Sequence, residues 1–337
     1  MIDTQLHHPK DQITEIIKRI YRAGMTTTSG GNISIKDNQG NIWVTPSAID
    51  KGSLTSKDII CVKPDGEVIG IHKPSLEFPF HKAIYDKRPD IKSVIHAHPP
   101  ALVSFSIVRK IPNTNIIPQA KHVCGPIGYA TYALPGGKEL GEKIAEEFVK
   151  GFDAVIMENH GIVVGGKDLK DAYVQFETLE FCARTIIGAS IVGQPKYLTH
   201  EQIDEFESSL PDDILEMDEV EHTSEELGIR TNISQLIRRA CDQGLMISSY
   251  GTVSVRWYDN NFLITARNVP RWEIQNKDIV QIRDGKREPG KLPSRTVRLH
   301  EQIYRDNPGV NSIILTQSPN IMAFGVSEAK LDVRTIP

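Results

Sequence analysis

His96 and His98 stand two positions apart in the apolar run "SVIHAHPPAL", which Pro99 and Pro100 interrupt. In a strand, positions i and i+2 share a face, so the two imidazoles can converge on one ion. The pair permits a metal without requiring one, because an isolated His-x-His serves structure as readily. A zinc-like ion needs a third protein donor, with a position left open if the site is catalytic. His160, in "MENHGIVV" beside a glycine that lets the backbone turn sharply, is the natural candidate, although a turn histidine needs no metal. Glu77, in "KPSLEFPFH", offers a carboxylate at a helix start, where an acid also merely suits the helix dipole. "TTTSGGNIS", around Gly31 and Asn32, can aim backbone N–H groups at a phosphate or can be a plain turn. It is neither a Walker loop nor a Rossmann fingerprint.

The elements that must carry these residues are legible from periodicity. "KDQITEIIKRIYRAG" puts Ile13, Ile16, Ile17 and Ile20 on one helical stripe, with Asp11 as the expected N-cap and Gly24 as the stop. "NISIKDNQGNIWVTP" and "DIICVKPDGEVIG" alternate apolar and polar residues around turns, which predicts two hairpins. Residues 76–87 read as a helix, "IKSVIHAH" as a buried strand and "ELGEKIAEEFVKG" as a helix. "DAVIMENHGIVVGG" reads as two strands hinged at Asn159-His160-Gly161, followed by a long helix from Asp168 to Ala189. Short turns favour a mixed sheet over a doubly wound parallel one.

At 337 residues the chain is long enough for two domains. Its 39 Lys+Arg against 43 Asp+Glu, with no basic block, argues against nucleic acid and for a small soluble ligand. The N-terminus shows no signal or transit pattern and no apolar run is long enough for a membrane span, so a cytoplasmic location is expected. Cys61, Cys124, Cys182 and Cys241 form no CxxC pair, which argues against a disulfide framework and a thiolate zinc site.

The chain also repeats itself. "GMTTTSGGNISI" from Gly24 aligns with "GLMISSYGTVSV" from Gly244, "PSLEFPFHKAIY" with "PSRTVRLHEQIY", and "RPDIKSVIHAHPP" with "NPGVNSIILTQSP". Residues 230–337 thus copy residues 1–118, with Pro337 against Pro118. An acidic stretch without Lys or Arg precedes the copy, giving expected domains of 1–210 and 230–337 with 211–229 as an acidic linker. The copy keeps His81 as His300 and Tyr85 as Tyr304, yet Glu77 becomes Thr296, His96 becomes Leu315 and His98 becomes Gln317. Gly30 and Asn32 become Tyr250 and Thr252. Fold-bearing positions persist while the candidate metal positions vanish together; by the same comparison His81 falls to the structural side. The copy holds no counterpart of residues 119–190, so its sheet should be incomplete.

In order along residues 8–195, "SGGNIS", "VTPSAI", "KPSLEFPFHKAIY", "VIHAHPP", "GYATY" and "ENHGIVV" resemble the class II aldolase/adducin family, which includes fuculose-phosphate aldolase and ribulose-phosphate 4-epimerase. The resemblance implies a three-layer α/β/α domain around a mostly antiparallel sheet, here followed by a partial, degenerate repeat of the same fold, and assembly as a cyclic homo-oligomer. It implies zinc ligands at His96, His98 and His160, with Mn2+ or Co2+ able to replace Zn2+, and a catalytic carboxylate at Glu77. It also implies a phosphate pocket at Gly31, Asn32, Ser47 and Ser75; Ala48 and Leu76 depart from the glycine and second serine common in the aldolases. The implied activity is a lyase that splits a phosphorylated ketose into dihydroxyacetone phosphate and an aldehyde through a metal-stabilised enediolate. A decarboxylase, dehydratase or 4-epimerase acting on a related sugar acid or sugar phosphate uses the same chemistry. A non-catalytic adducin-like assembly module is disfavoured where the histidines remain. The segment that should bring a general acid, "NTNIIPQAKHVC", offers only Gln119, Lys121 and His122, while Tyr129 and Tyr132 could line the pocket or simply pack. For the second copy, a structural role without zinc is expected.

Overall fold

Pro9 sets the start of the first helix, α1 (Pro9–Arg22), because its ring holds a helical φ and its missing N–H is one the first turn does not need. The N-cap is accordingly His8, whose side chain accepts from Lys10 N, and not Asp11 as the sequence suggested. Asp11 sits inside the first turn and accepts from Ser56 Oγ. Gly24, at φ 67°, ends the helix in the left-handed conformation its type makes inexpensive. Ile13, Ile16, Ile17 and Ile20 are all buried, as their spacing requires.

The computed structural model describes residues 7–220, 222–259 and 261–335. The chain forms two compact units, Ile2–Leu198 with Val326–Ala329, and Thr199–Gly325 with Lys330–Pro337. Pro337, the aligned counterpart of Pro118, lies outside the described residues.

In the first unit the strands are β1 (Asn32–Lys36), β2 (Ile42–Val44), β3 (Ile60–Val62), β4 (Val68–Ile69), β5 (Ser93–Ala97), β6 (Ile127–Ala130), β7 (Ala154–Met157) and β8 (Gly161–Gly166). They form one sheet in the order β4-β3-β2-β1-β5-β8-β7-β6, antiparallel except for β6 on β7. The intervening helices are α2 (Phe78–Lys87), α3 (Pro100–Ile107), α4 (Pro118–Cys124), α5 (Lys138–Val149) and α6 (Leu169–Val192). Phe80, Ile84 and Tyr85 of α2, with Leu140, Ile144 and Phe148 of α5, pack over Val94, Val155 and Val163. Helices α1, α3 and α4 gather around α6, which covers β5 and β8 from the other side. The result is the mixed, mostly antiparallel three-layer arrangement expected.

The register positions the site. Asn32 pairs with His96 across β1 and β5, and His96 pairs with Val163 across β5 and β8. Directly paired residues project to one face, so Asn32 and His96 lie side by side beneath α2. Ser34 pairs with Val94 on that same face.

The second unit contains α7 (His200–Ser208), α8 (Ser224–Asp242), β9 (Thr252–Tyr258), β10 (Asn261–Thr265), β11 (Ile279–Arg283), β12 (Lys286–Arg287), α9 (Val297–Asp306), β13 (Ser312–Leu315) and α10 (Pro319–Gly325). Its sheet order, β12-β11-β10-β9-β13, reproduces β4-β3-β2-β1-β5, and the Leu315↔Thr252 pair stands where His96↔Asn32 stands in the first unit. Beyond β13 no strand follows among the described residues, whereas β5 is flanked by β8. Within the acidic stretch, Ile214 and Met217 are buried, and Ile214 joins the core formed by Phe262, Val280 and Tyr304.

One buried polar arrangement is present in both units. Ser34 Oγ lies 2.7 Å from both His81 Nδ1 and Tyr85 OH; Ser254 Oγ lies 2.7 Å from His300 Nδ1 and 2.6 Å from Tyr304 OH. Burial pushes His300 down to about 4 from an ordinary 6.5. Unfolding lets that imidazole take up a proton below about pH 6.5, so it withdraws stability as pH falls from there toward 4 and has no effect above. Replacing it by His300→Gln should flatten the pH dependence of urea unfolding of the second unit between pH 6.5 and 4.5, an unchanged slope being the contrary result.

Candidate active site

Glu77, His81 and Tyr85 occupy one stripe of α2 at i, i+4 and i+8, and that stripe faces β1 and β5. Glu77 is the N-cap residue, so its carboxylate sits at the positive end of the helix, directly over the strand face. His96 closes against it: its Nε2 is 3.2 Å from Glu77 Oε2, and its ring meets Phe80 edge-on. His98 follows the end of β5, and His160 lies in the turn from β7 to β8 where Asn159 takes φ 55°. His160 Nε2 is 3.5 Å from Glu77 Oε1. The three imidazole centroids are 4.7, 4.9 and 5.1 Å apart, and one donor atom from each lies within 4.8 Å of the others.

Close approach of backbone makes the cluster feasible. A Cβ on Gly31 (φ 72°) would lie 2.8 Å from His96 O, and one on Gly161 would lie 2.5 Å from Ala97 O. Both positions therefore require glycine for β1, β5 and β8 to meet at this end.

His96 Nδ1 donates to Ile162 O at 2.9 Å, so in the neutral ring it is Nε2 that carries the lone pair, toward the cluster. His98 Nε2 and His160 Nδ1 are buried without a hydrogen-bond partner among the described residues, and His96 Nε2 faces the Glu77 carboxylate. Buried ring nitrogens on three clustered imidazoles fit a divalent ion as ligands. Burial, reinforced by the neighbouring His96 and His160, pushes His98 down to about 3, and burial with His96 takes His160 to about 4, so both remain neutral donors. Burial would raise Glu77, yet His96, His160 and the Asn32 amide outweigh it and hold the carboxyl well below its usual range. For His96, burial opposes the charged form, but the Glu77 carboxylate and the Ile162 carbonyl outweigh it and raise the group.

Asn32 links this centre to the deeper relay. Its Nδ2 donates to Glu77 Oε2 at 2.7 Å, so its Oδ1 must accept, and it does so from His81 Nε2. That choice fixes the tautomer: His81 Nδ1 accepts from Ser34 Oγ, whose oxygen then accepts from Tyr85 OH. Every donor in the chain points toward Glu77, and burial pushes His81 down to about 3, so the relay stays neutral and keeps the carboxylate an acceptor. His81, assigned by sequence to packing because the copy retains it, is thus one hydrogen bond from the residue that orients Glu77.

Gly31, Asn32, Ser47 and Ser75 share with Glu77 and His98 an open cavity of ≈ 330 Å³, large enough for a sugar phosphate. Ser75 Oγ accepts from Glu77 N at 3.3 Å and keeps its own proton for a ligand. Lys51 lines the same cavity and escaped the sequence reading; the signal available was a cation, Arg271, at the aligned position of the copy. Gln119 and His122 lie on α4 with Lys121, and none of the three lines the cavity; nor does Tyr129 or Tyr132.

Fold and site define a class II aldolase-type protein. The family model "Class II Aldolase and Adducin N-terminal domain" matches residues 11–187 and again 231–335, and the chain belongs to that family. Among curated relatives, an L-fuculose phosphate aldolase of Methanococcus maripaludis is 36% identical over 176 residues, 51% of this chain and 94% of the relative. A 3-oxo-tetronate 4-phosphate decarboxylase of Haemophilus influenzae is 29% identical over 204 residues, 59% of this chain and 96% of the relative. A solved L-fuculose 1-phosphate aldolase superposes with a TM-score of 0.54 at 30% identity, covering 59% of this chain and 94% of that structure. No described helix is long and apolar enough to cross a membrane.

The two units make opposite predictions for metal. Elemental analysis should find one divalent ion per chain, because Leu315 and Gln317 replace the paired histidines in the second unit. His98→Ala should weaken binding at least about a hundredfold in a chelator competition. Binding should release protons and weaken as pH falls, since the raised His96 must lose its proton to coordinate. Two ions per chain, or unchanged affinity in His98→Ala, contradicts this assignment.

Proposed function

We propose that the first unit is a metal-dependent lyase that cleaves a phosphorylated ketose to dihydroxyacetone phosphate and an aldehyde. His96, His98 and His160 hold the ion, which is Zn2+, with Mn2+ or Co2+ as functional substitutes. Glu77 is the catalytic carboxylate, and Gly31, Asn32, Ser47 and Ser75 bind the phosphate. The observation that carries this reading is the cluster of three imidazoles around an ionised, relay-held carboxylate, with His98 and Glu77 of that cluster lining one sugar-sized cavity. A divalent ion on these imidazoles supplies polarisation of a ketose carbonyl and its neighbouring hydroxyl.

The chain's own groups do the rest. Asn32 holds Glu77 Oε2, leaving Oε1 directed toward the His160 side of the site. Glu77 starts ionised and carries the proton to or from the carbon left electron-rich when the C–C bond breaks. Ser47 and Ser75 supply hydroxyl donors to the phosphate end, which fixes the reacting carbons relative to Glu77. The substrate is a small soluble metabolite, and the protein works in the cytoplasm as a homo-oligomer.

A second reading, decarboxylation of a phosphorylated sugar acid, has a specific support. Among the described lining residues there is no Tyr and no acid besides Glu77, so no group stands ready for an aldehyde oxygen. Loss of CO2 needs none there, and one relative in the family bears that activity in its name.

The domain boundaries we propose are 1–210 for the catalytic domain, 211–229 for the acidic connection and 230–337 for the incomplete copy. The copy serves structure, because its Thr296, Leu315 and Gln317 offer neither base nor metal donors.

A panel of ketose phosphates and phosphorylated sugar acids, assayed for triose phosphate and for CO2, tests the reading. Triose phosphate released together with an aldehyde and without CO2 supports the aldolase; CO2 release supports the decarboxylase, because loss of CO2 from a four-carbon 3-oxo acid 4-phosphate itself leaves dihydroxyacetone phosphate. Glu77→Gln should lower kcat by about 10²–10⁴-fold while the metal content stays unchanged. A metal-loaded wild type inactive on the whole panel, or a Glu77→Gln variant as active as wild type, defeats the proposal.

A further inference from the structure

Lys51 is the one Lys or Arg among the described residues lining the cavity, and it is 1% exposed. Its backbone N–H donates to Thr28 O at 2.7 Å, tying the segment that carries it to the glycine loop that ends at Gly31. The segment is strained: Ala48 is held at φ 57°, a left-handed conformation that a Cβ disfavours. An ammonium carries three donors, and Pro46 O takes one of them at 3.1 Å. Burial pushes Lys51 down to about 8, with Glu77 and Asp50 opposing. A cation held out of water with few acceptors is costly, and an anion beside it removes that cost.

The second unit displays the contrasting case. Arg271 occupies the aligned position and is also buried, but its Nε donates to Gly251 O at 2.8 Å and its Nη1 to Val269 O at 2.7 Å and Ala266 O at 3.2 Å. Tyr250, 3% exposed, stands at the position aligned with Gly30. There the cation braces backbone carbonyls and the glycine that opened the cavity is gone. In the first unit the cation is shorter, makes one such contact, and shares its cavity with the hydroxyls of Ser47 and Ser75 and the amide of Asn32. These neighbours are neutral, and among the described lining residues the formal charge facing Lys51 across the cavity is the Glu77 carboxylate. A phosphate dianion entering there meets repulsion from Glu77, and a cation on the same wall offsets it.

We propose that Lys51 is a specificity-determining residue that supplies the counter-charge for a phosphate group in this cavity and so selects phosphorylated substrates over unphosphorylated ones. The inference rests on reading the site as one for sugar phosphates, and goes beyond it in assigning the charge to a residue outside the glycine loop and the two serines.

The test is calorimetric titration of inorganic phosphate into the full-length, metal-loaded protein. Wild type should bind, Lys51→Met should bind at least about tenfold more weakly, and Lys51→Arg should keep most of the affinity. If Lys51→Met fails to fold, the wild type labelled with [13Cε]lysine decides: the Lys51 resonance, assigned by its loss in Lys51→Arg, should shift on adding phosphate. Absent phosphate binding by wild type, unchanged affinity in a folded Lys51→Met, or an unmoved Lys51 resonance at saturating phosphate overturns the proposal. Metal content and carbon–carbon cleavage on the same preparations report the lyase reading separately. Normal cleavage with Lys51-independent phosphate binding sinks only the role of Lys51, and Lys51-dependent phosphate binding without cleavage sinks only the lyase.

Discussion

The pairing of Asn32 with His96 across β1 and β5 is the constraint from which the rest of the site follows. Strand side chains alternate with a period of two, so a slip of one residue would send His96 to the α6 side and bring Ile95 under Glu77. The register is held by what lies on either face. Ile33 and Ile95 pair on one side and are fully buried, while Ser34 and Val94 pair beneath α2 on the other. Ser34 adds directional specificity, since its hydroxyl must meet both His81 and Tyr85 of α2. A hydroxyl buried without those partners would cost about 1–3 kcal/mol, so the relay locks α2 to the strand pair that carries Asn32 and His96.

That lock explains how one scaffold can appear twice with different chemistry. Both units keep the Tyr–Ser–His arrangement because it sets the helix on the sheet, independently of anything above it. The side chains beyond the histidine are free of that duty. In the first unit they continue as Asn32 and Glu77 to a carboxylate among imidazoles; in the second they are Thr252 and Thr296 beside Leu315. The imidazole pair and the carboxylate are therefore removable without dismantling the fold.

Much of this was legible in the sequence. Alternation found the hairpins, and the helical stripe found α1, because both record burial directly. The histidine pair was legible by subtraction, since the internal copy preserves strand and helix residues and drops His96 and His98 together, whereas His160 has no counterpart in the copy and was found by its place in a turn. Subtraction fails for residues that serve fold and site at once. His81 persists in the copy and so reads as structural, yet its second nitrogen supports Asn32. Lys51 failed for a related reason: a lone lysine in "SAIDKGS" has no periodicity, and its burial arises only when the loop folds back onto Thr28 and Pro46. The N-cap was misassigned to Asp11 because cap propensity favours an acid, while Pro9 at the first helical position puts the cap three residues earlier, at His8. In the acidic stretch, charge density hides the apolar anchors Ile214 and Met217, which composition alone does not register.

The clearest trace of the division of labour is a single nitrogen. His81 Nε2 ends on Asn32 Oδ1, an amide long enough to reach both the imidazole and Glu77. His300 Nε2, its counterpart, is buried with no hydrogen-bond partner among the described residues. The shorter Thr252 turns its hydroxyl instead to Ser294 Oγ at 2.6 Å, and Thr296 Oγ1 joins them at 3.3 Å, so the three hydroxyls satisfy one another. An unpaired buried donor is a net loss of about 1–3 kcal/mol, and a histidine designed only for packing has better replacements. The second unit tolerates the loss because His300 still anchors Ser254 and Tyr304 through its other nitrogen. The same side chain thus carries a structural bond that both units need and a second bond that has a purpose only where a carboxylate must be aimed.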